Sequence, residues 1–334
     1  MKSILKLPFV LWVFATLLIY SSVLISPLFF KYSGVISFGV PFIILLNLIY
    51  LILAVIFKWK SGFIALVLLI LAYPFIKVGV SFNGPEKPVG DTFKVMNYNV
   101  KWFTDASKDN YKEVLEWISN EEADILCFQE YYPLKNISNR IAKSGKYHVS
   151  MHKDRFHVAI YSKFPIIKDG LVFPENHLNN IRFADLKVKK DTIRVYSVHL
   201  ESMGINPDKI QDTESIKEEY EDVKNRFVNA STYRTEQIKT LFKHVEACRY
   251  PVLIAGDFND IPFSYNYFQF KRRFKNAFEE VGSGFGVTYN GKIPLLRIDN
   301  QFFSEGLKAR SLTTVNNVYY SDHFPLIGIY EITP

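Results

Sequence analysis

Residues 251–259 read PVLIAGDFN, an apolar run from Val252 to Ala255 that ends in a glycine, an aspartate and, two positions on, an asparagine. A run this short, bounded by Pro251 and Gly256, is the pattern of a strand buried on both faces, as in the sheet of an α/β protein. In an extended backbone Asp257 and Asn259 point the same way, so the strand delivers two polar groups together at its end.

Upstream, FKVMNYN (93–99), the amphipathic NYKEVLEWISNEEA (110–123) with Val114, Leu115 and Ile118 at helical spacing, and DILCFQE (124–130) make a β-α-β opening. HVAIYSK, IRFADLKV, TIRVYSVHL, LLRIDNQFFS and HFPLIGIYEI are further strand candidates, dense in β-branched and aromatic residues. Residues 207–247 are helix-like and charged, with EEYEDVKNR offering i,i+3 and i,i+4 pairs. Strands alternating with helices over about 240 residues predict an α/β sandwich. Five strand ends carry the same kind of side chain: Asn99, Glu130, His199, Asp257 with Asn259, and Asp299 followed by Asp322 and His323. Carboxylates such as Glu130 suit a hard divalent cation, Mg²⁺ or Mn²⁺.

The N-terminal quarter is different. Twenty-four uncharged residues separate Lys6 from Lys31, and twenty-six separate Lys31 from Lys58. Each run exceeds the ~20 apolar residues that span a bilayer as helix. A third run, Ser61 to Ile76, reaches about Ser81 if Lys77 snorkels. The expectation is a three-helix transmembrane anchor over 1–81, a Gly- and Pro-rich linker over 82–91 and a catalytic domain over 92–334. A signal peptide is disfavoured because its apolar core spans only ~7–15 residues. The distribution of Lys places the N-terminus in the cytoplasm and, after three crossings, the catalytic domain outside it, as in a bacterial inner membrane.

The chain of 334 residues carries a formal charge of +7 and is 49% hydrophobic, which excludes a disordered protein. Residues 1–90 hold +6 of that charge as seven Lys against Glu86, so the remainder is nearly neutral and gives no general electrostatic case for nucleic-acid binding. Two Cys, Cys127 and Cys248, cannot build a disulfide framework or a cysteine zinc site, and both read as core residues.

QE, GDFN and SDH in this order, with RID before SDH, resemble the endonuclease/exonuclease/phosphatase superfamily from about Phe93 to Ile332. The resemblance implies a four-layer α/β sandwich, two packed mixed sheets flanked by helices, and a metal-dependent hydrolase acting on phosphoester bonds. It also implies roles. Glu130 is the principal Mg²⁺ (or Mn²⁺) ligand, with Asn99 beside it and Asp322 near the same cation. Asp257 orients or deprotonates the attacking water, Asn259 binds the scissile phosphate, and His323 paired with Asp299 stabilises the phosphoryl oxygens or acts as acid/base. His199 occupies a position at the phosphate. Phosphoester hydrolysis needs neutralisation of the charge on the non-bridging oxygens, an aligned water and help for the leaving oxygen, and this set contains a group for each.

Taken singly, Asn99, Asp257 and Asn259 would each read as turn residues; their joint occurrence carries the functional reading. His148, His152, His157, His177 and His244 lack such context, as does Glu175, while Tyr98, Trp102 and Phe103 either stack on substrate or pack beneath the site. Arg234 and Gln237, three apart on one helix face, either reach the site or face solvent. The expected substrate is a phosphodiester: a phospholipid headgroup, a nucleic acid or a small organophosphate. A phosphomonoesterase, or a silent binding protein on the same fold, is the rival reading, and no protein partner is inferable.

Overall fold

A computed structural model of the chain describes residues 6–103, 111–132, 141, 147–152, 157–174, 179–204, 216–291 and 293–333. The compact packing of the chain divides into two units.

The larger unit takes in Val80–Ser202, Glu236–Asn259 and Phe270–Pro334 and holds two six-stranded sheets. One runs in the order Lys275–Asn276, Asp299–Phe303, Val252–Asp257, Asp191–His199, Ile181–Val188, Ile166–Leu171. The other runs Leu307–Thr314, Leu326–Ile332, Thr92–Asn99, Ile125–Tyr131, His157–Ser162, His148–Ser150. Both are mixed. Each contains one parallel pair, Asp191–His199 with Val252–Asp257 and Thr92–Asn99 with Ile125–Tyr131, and every other neighbour is antiparallel. Parallel neighbours need a crossover, and the helices Tyr111–Asn120 and Ile216–Glu246 lie in the two intervals. The expected α/β fold with two mixed sheets and helices is therefore present.

The sheets meet through Val95, Ile125, Cys127 and Ile160 of one and Ala184, Ile193, Val195, Leu253 and Ala255 of the other, all fully buried. Each fully buried Val, Leu or Ile among them contributes about 1.5–3 kcal/mol. Cys127 sits in this core as a free thiol and Cys248 is half-buried. Near the functional rim the seam turns polar. Gln129 Nε2 donates to Ser197 Oγ at 3.0 Å, and Gln301 Nε2 donates to Asn97 Oδ1 at 2.8 Å.

Residues 82–91 run bound to this unit. Asn83 Nδ2 donates to Glu279 O at 2.7 Å, and Glu86 accepts from Lys308 and Arg310, both at 2.8 Å. Val89 and Gly90 N–H groups donate to Glu331 Oε1 at 2.6 and 2.9 Å. The Gly and Pro composition that reads as a linker is fastened by charged residues more than 200 positions away.

The smaller unit takes in Met1–Gly79, Met203–Thr235 and Asp260–Gln269. Its described helices are Lys6–Ser22, Ser33–Ser37, Val40–Ile56, Gly62–Leu71 and Tyr73–Gly79, with part of Ile216–Glu246 and of Tyr265–Lys271. Tyr20, Val23, Val40, Ile43, Ala72 and Phe75 form its core, against which Phe263 and Phe268 pack. Phe38 meets Phe227 edge-on at 5.1 Å, and a side chain on Gly34 would lie 2.5 Å from Ser231 Oγ.

The structure does not contain the three spanning helices expected from the sequence among its described residues. Among the described residues one stretch, Ser33–Ile56, is long and apolar enough to cross a membrane, with 22% of its apolar window buried. The helix pair Gly62–Leu71 and Tyr73–Gly79 passes only when taken together and bends by 56°. Pro74, just past the break, cannot donate the backbone bond that would continue the helix. Leu7–Ser22 is apolar but short. At 1.5 Å per residue it covers about 24 Å, less than the ~30 Å hydrocarbon core, because the uncharged run beyond Ser22 goes into turns around Ser26 and Pro27.

Candidate active site

The parallel pairs bring the polar strand ends to one rim of each sheet. Asn99 lies opposite Gln129, and His199 lies opposite Asp257. The neighbouring antiparallel strand starts where these end, with Asp299 opposite Asp257, and His323 precedes the strand whose Leu326 lies opposite Asn97. All eight predicted residues, Asn99, Glu130, His199, Asp257, Asn259, Asp299, Asp322 and His323, thus come together.

Local backbone explains the motifs. The pairing of Ile125–Tyr131 with His157–Ser162 shifts register between Phe128 and Tyr131, and Glu130 in that shift adopts φ 48°. The bulge re-aims its carboxylate out of the ladder. Gly256 has φ 144°, and a Cβ there would lie 2.2 Å from Val198 O and 2.9 Å from Gln129 Nε2, so the position before Asp257 admits only glycine. Asn259 is also left-handed, φ 49°, with its N–H donating to Asp257 Oδ1 at 2.8 Å. Non-glycine residues in this region cost about 1–2 kcal/mol, strain that concentrates at functional sites.

Asp257 Oδ2 is the hub. It accepts from Asn99 Nδ2 at 3.1 Å and Asn259 Nδ2 at 3.3 Å, and it lies 3.7 Å from His323 Nε2 and 3.8 Å from His199 Nε2. Asn99 Nδ2 also donates to Glu130 Oε1 at 3.1 Å, and His199 Nε2 is 3.7 Å from the same oxygen. His323 Nδ1 and Asp299 Oδ2 form a 2.9 Å hydrogen bond, both groups buried. Burial disfavours the His323 imidazolium, but Asp299 and Asp257 outweigh it and push the group up to about 10. Burial raises the Asp257 carboxyl, with His323 pulling the other way. Burial likewise raises Glu130, offset in part by its bond from Asn99.

A hard cation fits this donor set. Glu130 is a part-buried carboxylate on the rim whose anionic form is disfavoured until positive charge is near, and Asp322 supplies a second oxygen donor. Asn99 keeps its oxygen on the Lys101 N–H at 3.1 Å, so in this arrangement it orients Glu130 and Asp257 through its amide N–H groups. Asp257, Asp299 and His323 also form a cluster with ligand-type atoms within 4.8 Å of one another, although the imidazolium of His323 opposes a cation among them.

The sequence leaves the supports of this site unassigned, apart from Gln237, which it offers as either reaching the site or facing solvent. Asn179 Nδ2 lies 3.3 Å from His199 Nε2 and donates to Leu200 O at 3.0 Å, where Asn259 Nδ2 also donates. Gln237 holds that corner, accepting from Glu201 N at 2.9 Å and donating to Asn179 O at 3.4 Å. Arg234 is buried instead, 3.6 Å from Asp260. Ser321, visible in SDH but unassigned, donates to Asn99 O at 2.8 Å and accepts from His323 N at 3.2 Å. Thr288 Oγ1 accepts from Asp299 N at 3.0 Å, and Tyr289 meets the His323 ring edge-on at 5.4 Å. Tyr98 and Phe103 pack in the core, whereas Trp102 is 42% exposed. His244 bonds Tyr196 Oη at 2.8 Å; Glu175 and His177 lie outside the described residues.

Residues 96–323 match the profile of the Endonuclease/Exonuclease/phosphatase family, so the chain belongs to that family, whose members hydrolyse phosphoester bonds. Residues 2–79 match a second family, a domain of unknown function (DUF8431). A sequence search of curated proteins gave no match. Solved structures share the fold. An endonuclease/exonuclease/phosphatase family protein from Bacteroides thetaiotaomicron is 18% identical, over 73% of this chain and 99% of that one, with TM-score 0.55. The human Nocturnin catalytic domain with bound sulfate is 17% identical, over 72% and 95%, TM-score 0.53. D. rerio TDP2 in complex with a single-strand DNA product is 14% identical, over 72% and 100%, TM-score 0.52.

Proposed function

We propose that the chain is a membrane-held, Mg²⁺- or Mn²⁺-dependent phosphodiesterase working by direct attack of water. The observation that carries it is Asp257, a buried carboxylate with two carboxamide donors within 3.3 Å and two imidazoles within 3.8 Å of one oxygen. Asp257 aligns the water and takes its proton as the new oxygen–phosphorus bond forms. Asn259 donates to a non-bridging oxygen, and His199 faces the same group. His323, kept cationic by Asp299, stabilises the developing charge and donates a proton as the bond to the leaving oxygen breaks. A divalent ion held by Glu130 and Asp322 would supply Lewis-acid charge at the phosphate. No covalent intermediate is needed.

Glu130→Gln keeps the shape and removes the charge. It is expected to weaken Mn²⁺ binding at least tenfold and to lower kcat/KM for bis(p-nitrophenyl) phosphate about 10²–10³-fold. Calorimetric titration and initial rates check this; unchanged metal affinity would remove Glu130 from the ligand set.

The organisation proposed is an N-terminal anchor to residue 81, a bound strap over 82–91 and a catalytic domain from 92; with the N-terminus cytoplasmic and Ser33–Ile56 as a single crossing, that domain lies on the extracytoplasmic side. Support comes from the Ser33–Ile56 stretch and from the exposure of Leu11, Phe14, Phe42, Val55, Phe63 and Ile70, apolar side chains that water would not favour on a surface. After alkaline carbonate extraction the full chain is expected in the membrane pellet; recovery in the supernatant would refute the anchor.

A further inference from the structure

We infer that the N-terminal helices have a task beyond anchoring: they seat the loop that follows Asn259, so that the placement of this amide, and with it turnover, depends on helices far upstream in the chain. The inference rests on the phosphodiesterase reading above.

The boundary between the two units falls at the peptide bond after Asn259, which closes one segment of the larger unit while Asp260 opens a segment of the smaller. Residues 260–269 accordingly pack with the N-terminal helices. Phe268 meets Phe75 edge-on at 5.8 Å, and Phe75 in turn meets Tyr20 at 5.1 Å. Phe263 packs on the same core, and a Cβ on Gly79 would lie 2.9 Å from its ring, so the glycine is what lets that ring approach.

Buried polar contacts fix the same segment. Asp260 Oδ1 accepts from Ile261 N–H at 3.0 Å, and its Oδ2 accepts from Asn266 Nδ2 at 2.9 Å and lies 3.6 Å from Arg234 Nε. Asn266 Oδ1 accepts from Thr235 Oγ1 at 2.9 Å. Arg234, Thr235 and Asn266 are almost fully buried. Arg234 and Thr235 lie on the helix whose Phe227 meets Phe38, so these partners are themselves seated on the N-terminal helices. A buried network of this kind specifies one arrangement of the loop.

Asn259 needs that support. Its φ of 49° is a strained backbone, which persists only where its surroundings over-determine it. On one side its N–H is held by Asp257 Oδ1 at 2.8 Å; on the other the next residue is Asp260. Its amide now donates to Leu200 O at 3.0 Å and to Asp257 Oδ2 at 3.3 Å. To serve a phosphate oxygen the amide must release one of these while its backbone stays in place. A displacement of about 1 Å suffices to cost about 10²-fold in rate.

The test compares the full native chain in detergent with Phe75→Ala and Phe268→Ala by hydrolysis of bis(p-nitrophenyl) phosphate, Mn²⁺ calorimetry and amide hydrogen exchange. Either variant is expected to lower kcat about 10–10²-fold with KM within about twofold. Mn²⁺ affinity should stay native, since Glu130 and Asp322 belong to the other unit. Amides of residues 258–269 should exchange at least about tenfold faster, while those of Val252–Ala255 keep their native rates. The double variant should lose little more than either single one, because both remove the same contact. Phe75→Leu, which keeps most of the apolar volume, is expected to show the same pattern with kcat lowered about threefold, and it carries the test if the alanine variant does not fold. Native kcat with native exchange in the Phe75 variants would overturn the inference. So would faster exchange spread equally over Val252–Ala255 and 258–269, which marks general loosening rather than a displaced loop. Absence of any phosphodiester hydrolysis by the native chain would refute the phosphodiesterase reading instead, and the exchange rates would still decide whether the N-terminal helices hold the loop.

Discussion

His323→Gln is expected to lower kcat for phosphodiester hydrolysis about 10³-fold while changing KM little, because the imidazolium acts on charge that develops only as the bonds exchange. The side chain is buried, hydrogen-bonded to Asp299 at 2.9 Å and 3.7 Å from Asp257. Burial alone would discharge it; the two carboxylates prevail and hold it up to about 10. The native rate should therefore stay high through neutral pH and fall only as pH approaches 10. Asp299→Asn removes the larger raising charge and is expected to bring the alkaline limb down by several pH units, toward the ordinary histidine value of 6.5. The effect on stability has a definite sign. A group whose folded value is raised contributes stability that is full below 6.5 and is lost as pH rises through about 10. Melting of native protein and His323→Gln across pH 6 to 10.5 should thus converge at the alkaline end. A pH–rate profile for Asp299→Asn that overlays the native one would show that the Asp–His pair does not set the protonation state.

Much of this site was legible because its residues sit where an apolar run stops. Glu130 follows ILCFQ, Asp257 follows VLIAG and His199 follows VYSV, and a buried strand can present a charge only at its end. The glycine of GDFN proved to mark close backbone approach to Val198. What escaped has a common cause: its partners are distant in sequence. Asn179 and Gln237 meet across 58 positions, and nothing in NNIRF or TEQIK announces the pairing. The strand Ile166–Leu171 is largely exposed and so lacks the apolar density that signals a strand, while Leu307–Thr314 is interrupted by a bulge near Arg310. Counting uncharged residues overestimated the spans because a count does not register where turns consume length, at Ser26–Pro27, or where Pro74 follows a bend.

Asp257→Asn should have the largest effect on turnover, a loss of about 10³–10⁴-fold in kcat, since the amide can still accept and donate hydrogen bonds but cannot take a proton from water. The stability change should run the opposite way. Burial raises the Asp257 carboxyl, so at neutral pH its ionised form is held against its own preference, and the penalty is present above the folded value and absent below the unfolded one. Replacing it by a neutral isostere is expected to raise the melting temperature of the metal-free protein by a few degrees at pH 7 and by less at pH 4. The same change removes one of the two carboxylates that keep His323 charged, so the double variant Asp257→Asn, His323→Gln should lose little more than Asp257→Asn alone. A structural carboxylate would behave otherwise: its loss would lower the melting temperature and leave kcat within tenfold of native. Scanning calorimetry and single-turnover rates on the same preparations separate the two, and a destabilised but active Asp257→Asn would move the hub of this site from chemistry to architecture.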